Sequence, residues 1–148
     1  MSELVAPEPR SSRWVLMTIG TLIVVAGAAF WVLDSGVGPP PVDIASDPLL
    51  VQGREIFLFR CASCHGATGR GDGVLSKDLT GPKPRDFVAD EWKYGTAPAQ
   101  VVKVIAEGVP GTSMGAWKMT YSPEEIRGVA AFTYHLAGRP VPEVLRAK

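Results

Sequence analysis

The sequence predicts an all-α protein: a small domain of few helices and long loops around one covalently held group, preceded by a single transmembrane helix. Three observations lead there. Residues 14–33 run for twenty positions without a charge. Three later segments carry helix caps and helical apolar spacing, and no segment alternates as a strand would. The two cysteines of the 148-residue chain lie three positions apart and are followed at once by a histidine, ahead of a Gly-, Pro- and Asp-rich stretch at 66–95.

The first element is "WVLMTIGTLIVVAGAAFWVL", Trp14 to Leu33. Twenty helical residues rising ~1.5 Å each cover a ~30 Å hydrocarbon core. Trp14 and Trp31 stand near its ends, where indole rings favour the lipid interface. Arg10, Arg13 and the small residues Ala26-Gly27-Ala28 would also suit a cleaved signal peptide. Against that, the apolar run continues through Leu33, longer than a signal needs. Arg10 and Arg13 precede the segment closely, and no Lys or Arg follows it until Arg54. The positive-inside rule therefore puts the tail 1–13 in the cytoplasm and everything after Leu33 outside, in the periplasm of a Gram-negative cell.

Residues 34–48, "DSGVGPPPVDIASDP", are Gly/Pro-rich and aperiodic, and read as a linker. Extended at ~3.1 Å per residue, it would reach up to roughly 45 Å. It ends in a helix start, with Asp47 as N-cap and Pro48 at the first position. That helix runs straight into Cys61. A second helix is expected over Thr96–Glu107, with Val101, Val102 and Ile105 on its apolar side and Gly108 beyond its end. The third begins at Ser122 with Pro123 and Glu125, a capping box, and repeats Ile126, Val129, Ala130, Thr133 and Leu136 before Gly138 and Pro140 stop it. The globular domain is thus expected over 49–139, with 140–148 a C-terminal tail. Its apolar side-chain mass is small for its size, so a buried cofactor would help complete the core.

Cys61-Ala62-Ser63-Cys64-His65 is the c-type haem attachment pattern. Two thiols three positions apart can reach both vinyl groups of one porphyrin while the next residue's imidazole meets the iron. Cys61 and Cys64 would form thioethers and His65 would be the proximal ligand. Outside the cytoplasm, where an unprotected thiol pair would oxidise to a disulfide, attachment consumes both thiols. Zinc would need four Cys or His ligands, and only His135 remains beyond the cluster. A thioredoxin-like pair would need alternating strands and helices, which are missing.

The sixth ligand could come from Met114, Met119 or His135. Met114 lies in "GVPGTSMGAWKM", a loop free enough to run across a flat ring. Met119 is close to the next cap and has less freedom, and His135 sits on the last helix. By loop freedom Met114 is preferred.

Residues 49–138 resemble the class I cytochromes c. Gly53, Phe57, Cys61, Cys64 and His65 match the family's Gly-x-x-x-aromatic-x-x-x-Cys-x-x-Cys-His pattern. "GVPGTSMGAW" resembles its methionine loop, which implies Met114 as axial ligand and Trp117 as a pocket wall. Gly115 stands where proline is usual, which implies a looser loop and an Fe–S bond more easily displaced. The resemblance implies the all-α cytochrome c fold around one haem c, and a close crossing of the first and last helices at Gly53, packed by Phe132 or Tyr134. It also implies that a proline carbonyl, Pro82 in preference to Pro84, accepts the second ring N–H of His65. Arg85, Tyr94 and Trp117 are candidate partners of the haem propionates.

A His/Met iron has no open position, so the expected function is one-electron transfer, with no catalytic group of the chain's own. Over 49–139 eleven bases face nine acids, a surplus of two that the propionates would cancel. A zero net charge excludes nucleic-acid binding. Without a strongly charged face to steer free diffusion, the membrane anchor supplies proximity instead. The expected partners are subunits of a membrane-bound respiratory or photosynthetic redox complex, with lipid around residues 14–33. The tail "GRPVPEVLRAK" lies beyond the complete domain and suggests something docked. The alternatives are a free tethered shuttle between a quinol-oxidising complex and a terminal oxidase or reductase, and, in another class, a haem enzyme or ligand sensor with a labile sixth ligand.

Overall fold

The computed structural model describes residues 19, 21, 41–89 and 92–147. The chain divides into two compact units, residues 1–38 and 39–148. In the first, Ile19 and Thr21 are helical and exposed. The remainder of the expected tail 1–13, membrane helix 14–33 and linker up to residue 40 lies outside the described residues. Among the described residues no helix is long and apolar enough to cross a membrane.

The second unit is helical, with no strand among the described residues. Helix α1 (Pro48–Ile56) starts as expected. Asp47 Oδ1 accepts the N–H groups of Leu49 and Leu50 at 3.1 and 3.2 Å, and Pro48 sits where no donor is needed. The sequence pattern alone predicts an unbroken helix into the cysteines. Instead, Phe57–Cys61 form a π turn, closed by the Ala62 N–H on the Phe57 carbonyl, and α2 (Ala62–His65) follows. One extra residue per turn rotates the chain beyond it by about 100°. Gly53 and Phe57 can then face the domain's other long helix while Cys61, Cys64 and His65 face elsewhere.

Helix α3 is Pro98–Glu107, two residues shorter than expected. Pro98 occupies its first position and holds Ala97 extended (φ −67°, ψ 137°), so Thr96 stays outside. The Thr96 carbonyl accepts the Tyr134 hydroxyl instead. Helix α4 (Pro123–Leu136) opens with the expected capping box: the Ser122 N–H donates to Glu125 Oε2 at 2.7 Å and the Glu125 N–H to Ser122 Oγ at 3.3 Å. It is the central element, burying Ile126, Val129, Ala130, Ala131, Phe132 and Tyr134.

Helices α1 and α4 cross backbone to backbone. A Cβ on Gly53 would lie 2.0 Å from the Gly128 carbonyl oxygen and 3.1 Å from Phe132 Cβ. Of the two aromatics considered for this crossing, Phe132 fills it, edge-on to Phe57 with ring centroids 5.5 Å apart. Tyr134 leans on Trp92 instead, at 5.3 Å.

Both ends of the domain differ from the sequence reading. Residues 41–47 are not free linker: they turn back on themselves and bury Ile44 (1% exposed). Residues 140–147 likewise pack on the domain rather than trailing from it. Glu143–Leu145 form a 3-10 turn, Leu145 is 3% exposed, and Arg146 Nη1 meets Asp47 Oδ2 at 2.6 Å. Ile44 and Leu145 sit in short segments without helical periodicity, so only their burial marks both segments as part of the unit.

Candidate haem-binding site

The helices leave between them a cavity of about 230 Å³. Cys61, Cys64 and His65 line it from the end of the π turn and α2, and Met114 and Trp117 from the loop after α3. Pro82, Arg85 and Tyr94 line it from the long loop. All eight residues singled out from the sequence therefore border one cavity. Met119 is 87% exposed and His135 packs on Phe132 beside Asp43, and neither lines it. Leu79, Val101, Val104, Ile105 and Val109 make the wall apolar. Arg60, Lys83, Arg85 and Lys93 also border it, and among the described residues no acidic one does.

The cysteine segment is held by the loop that follows it. A helix end leaves its last carbonyls unpaired. Here the N–H groups of Leu75, Gly73 and Gly71 donate to the carbonyls of Ser63, Cys64 and His65 at 2.8, 3.2 and 2.8 Å. Gly73 is required for this approach, since a Cβ there would lie 2.4 Å from the Ser63 oxygen and 2.5 Å from that of Ala62. The two thiols are free rather than joined. Burial, with Cys64 adjacent, pushes the Cys61 thiol up to about 12, so it is a neutral thiol at neutral pH. Among the described residues no group of three His, Cys, Asp or Glu is placed to hold a metal ion.

His65 Nδ1 lies 3.2 Å from the carbonyl oxygen of Arg85, not of Pro82. Pro82 is exposed, and the chain reaches the imidazole only three residues later. A carbonyl can only accept, so Nδ1 carries the proton and Nε2 keeps its lone pair. Burial lowers the His65 pKa below the usual imidazole range, with the Arg85 bond opposing. The ring is thus held neutral, the form that binds a metal.

The methionine loop is fastened on both sides of Gly115. Val109 N–H donates to the Met114 carbonyl at 3.0 Å, Met114 N–H to Thr112 Oγ1 at 3.1 Å, and the N–H groups of Trp117 and Lys118 to the Ala106 carbonyl at 3.1 Å each. Gly108, at φ +71°, lets the loop fold onto the end of α3, where a Cβ would lie 2.5 Å from the Met114 oxygen.

Sequence reasoning missed Phe87, Trp92 and Gly128. Phe87 stacks on His65, with centroids 4.7 Å apart and planes at 18°, and Trp92 Nε1 donates to the Phe87 carbonyl at 3.0 Å. A lone Trp in a Gly/Pro-rich loop was a signal that could have been used for Trp92. Nothing in the local pattern marks the other two. Two thiols, a neutral imidazole and a thioether around one apolar cavity with cations at its border fit a haem c and its two propionates.

The family model described as "Cytochrome C oxidase, cbb3-type, subunit III" matches residues 48–132. The chain belongs to this family of c-type cytochromes. A cbb3-type cytochrome c oxidase subunit FixP of Azorhizobium caulinodans is 37% identical over 92 residues, 62% of this chain and 28% of the relative. A subunit CcoP of Rubrivivax gelatinosus is 30% identical over 109 residues, 73% of this chain and 33% of the relative. The chain thus spans about a third or less of the length of these oxidase relatives. A cytochrome c6 of Anabaena variabilis is 39% identical over 83 residues, 55% of this chain and 85% of that protein, so the domain is a class I c-type cytochrome. Among solved structures, a chain of the Kuenenia stuttgartiensis reducing HAO-like protein complex Kustc0457/Kustc0458 is similar, with a TM-score of 0.58 and 26% identity over 69% of this cytochrome and 48% of that chain. The family implies haem c as the cofactor of this cytochrome.

Proposed function

We propose that this cytochrome is a membrane-anchored electron carrier with one covalent haem c, serving as a subunit of a membrane-bound respiratory oxidase complex. The observation that carries the reading is the convergence of Cys61, Cys64, His65 and Met114 on one apolar cavity. When bound, the haem supplies one-electron exchange between ferric and ferrous iron. Cys61 and Cys64 would hold it covalently, and His65 and Met114 would ligate its iron. With both ligands in place oxygen and peroxide would find no open position, which favours a carrier over a catalyst or sensor. Thioether ligation and apolar walls both favour the less charged ferrous state and so raise the potential. Arg85, Tyr94 and Trp117, which border the cavity, would be the partners of the propionates.

Residues 14–33 cross the cytoplasmic membrane with the N-terminus inside and the haem domain in the periplasm. The uncharged twenty-residue run and the Arg10/Arg13 asymmetry support this. Three further observations favour a built-in relay over a tethered shuttle. The relatives are named as oxidase subunits. Residues 41–47 fold onto the domain and are unavailable as tether. The charge of the domain is near balance.

Extraction in mild detergent followed by sizing chromatography tests the assignment to a complex. Haem absorbance travelling with oxidase subunits in fixed ratio is expected, whereas a small haem protein eluting alone would overturn the subunit role in favour of the shuttle. Met114→Leu should abolish the methionine–iron absorption band and admit CO. Met119→Leu and His135→Asn should change neither. A Met114→Leu protein with the wild-type spectrum would refute the ligand assignment.

A further inference from the structure

We infer that Phe87 is the positioning residue that sets the plane of the His65 imidazole. This rests on the reading of His65 as the axial ligand. A ring bound through Nε2 can turn about the bond to the iron, and something in the protein must choose its angle. The Arg85 carbonyl is one restraint, but at 3.2 Å it lies at the long end of N–H···O distances and holds the ring softly. Phe87 supplies a second, covering one face of the imidazole at 4.7 Å and 18°. Both restraints come from one stretch, Arg85-Asp86-Phe87.

A stack can orient its neighbour only if it cannot move itself, and Phe87 is fixed at every level. Its N–H donates to the Gly69 carbonyl at 2.7 Å and its C=O accepts Trp92 Nε1 at 3.0 Å. Phe57 and Trp92 meet the ring edge-on at 6.2 and 5.9 Å. Gly69 leaves the space the ring needs: a Cβ there would lie 2.9 Å from Phe87 Cδ2. Groups beyond the ligand that orient it are an established means of tuning a metal centre. Here the group is a flat face, so its effect is on rotation. The imidazole plane sets the orientation of the ferric iron's half-filled d orbital. That orientation governs the anisotropy of the electron paramagnetic resonance g values and the spread of the haem methyl NMR shifts.

The experiment compares full-length wild type, Phe87→Leu and Phe87→Tyr in detergent. Leucine keeps apolar bulk and removes the flat face, and tyrosine keeps the face. Phe87→Leu is expected to retain covalent haem but to shift the low-field g value and the haem methyl spread, while Phe87→Tyr restores both. Loss of thermal stability in Phe87→Leu with both signatures unmoved would reduce Phe87 to packing and overturn the proposal. Should Phe87→Leu fail to accumulate, ferrous wild-type protein decides. Nuclear Overhauser effects between the Phe87 and His65 ring protons are expected, and their absence overturns the stack. Wild-type protein without covalent haem on a denaturing gel would instead overturn the haem reading itself, and the proposal with it.

Discussion

Gly53→Ala should be among the most damaging single-methyl additions in this cytochrome. The added Cβ would lie 2.0 Å from the Gly128 carbonyl oxygen and 2.4 Å from its carbon, about 1 Å inside the 3.0 Å limit of real Cβ contacts. The obstacle is backbone, so no side chain can swing away, and the helices must separate at the Phe57–Phe132 contact. Overpacking of this kind costs about 3 kcal/mol or more, offset by about 1 kcal/mol because alanine is the better helix former. The net loss is about 2 kcal/mol or more, a fall in Tm of about 8 °C or more for a domain of this size. Gly128→Ala is the control. Its Cβ would meet Leu49 O at 3.3 Å and Gly53 N at 3.4 Å, a tight but nearly tolerable fit. There the propensity gain roughly offsets the strain, and the Tm should stay within about 4 °C of wild type. Thermal unfolding of the ferric protein, followed by circular dichroism, measures both. A Gly53→Ala protein as stable as wild type, or a Gly128→Ala protein equally crippled, would show that the crossing is not as tight as described.

Three further outcomes are expected. Leu145→Ala should cost about 2 kcal/mol, the low end for a buried leucine, because Leu145 closes the core from the C-terminal segment; an unchanged denaturation midpoint would mean that segment is not packed. Ser122→Ala should cost about 1 kcal/mol by removing the hydroxyl that caps α4, while leaving the haem spectrum untouched. Burial would raise the Asp47 carboxyl, but the Arg146 side chain and the Leu50 and Leu49 N–H groups outweigh it and hold its pKa below 3.8. A depressed folded pKa means stability that is full above the unfolded value and lost as pH falls through the folded one. The stability gap between wild type and Asp47→Asn should therefore be widest near neutrality, begin to narrow at about pH 4 and close as pH falls through the lowered folded pKa. A gap that persists at lower pH would contradict the Arg146 pairing.

The haem-attachment pattern and the helix starts could be read directly because each is local. Cys61, Cys64 and His65 are neighbours in the chain, and the caps at Asp47 and Ser122 act on N–H groups two or three residues away. The methionine loop was legible through its resemblance to known cytochromes. Its convergence with the cysteines, Pro82, Arg85, Tyr94 and Trp117 on one cavity depended on how α3, α4 and the long loop close around it.

What tertiary structure alone decided lies at contacts between segments distant in sequence. The π turn at Phe57–Cys61 leaves no trace in a residue pattern, because it reconciles the crossing at Gly128 with the direction of the cysteines. The acceptor for His65 moved from Pro82 to Arg85 because a carbonyl's direction depends on the path of the whole loop, not on residue type. Ile44 and Leu145 carry no periodicity that would mark them as core, yet they join the two ends of the domain, where Arg146 reaches Asp47 across ninety-nine positions. Local chemistry is written in neighbouring residues, whereas the orientation of His65 and the closure of the domain arise only when distant residues meet.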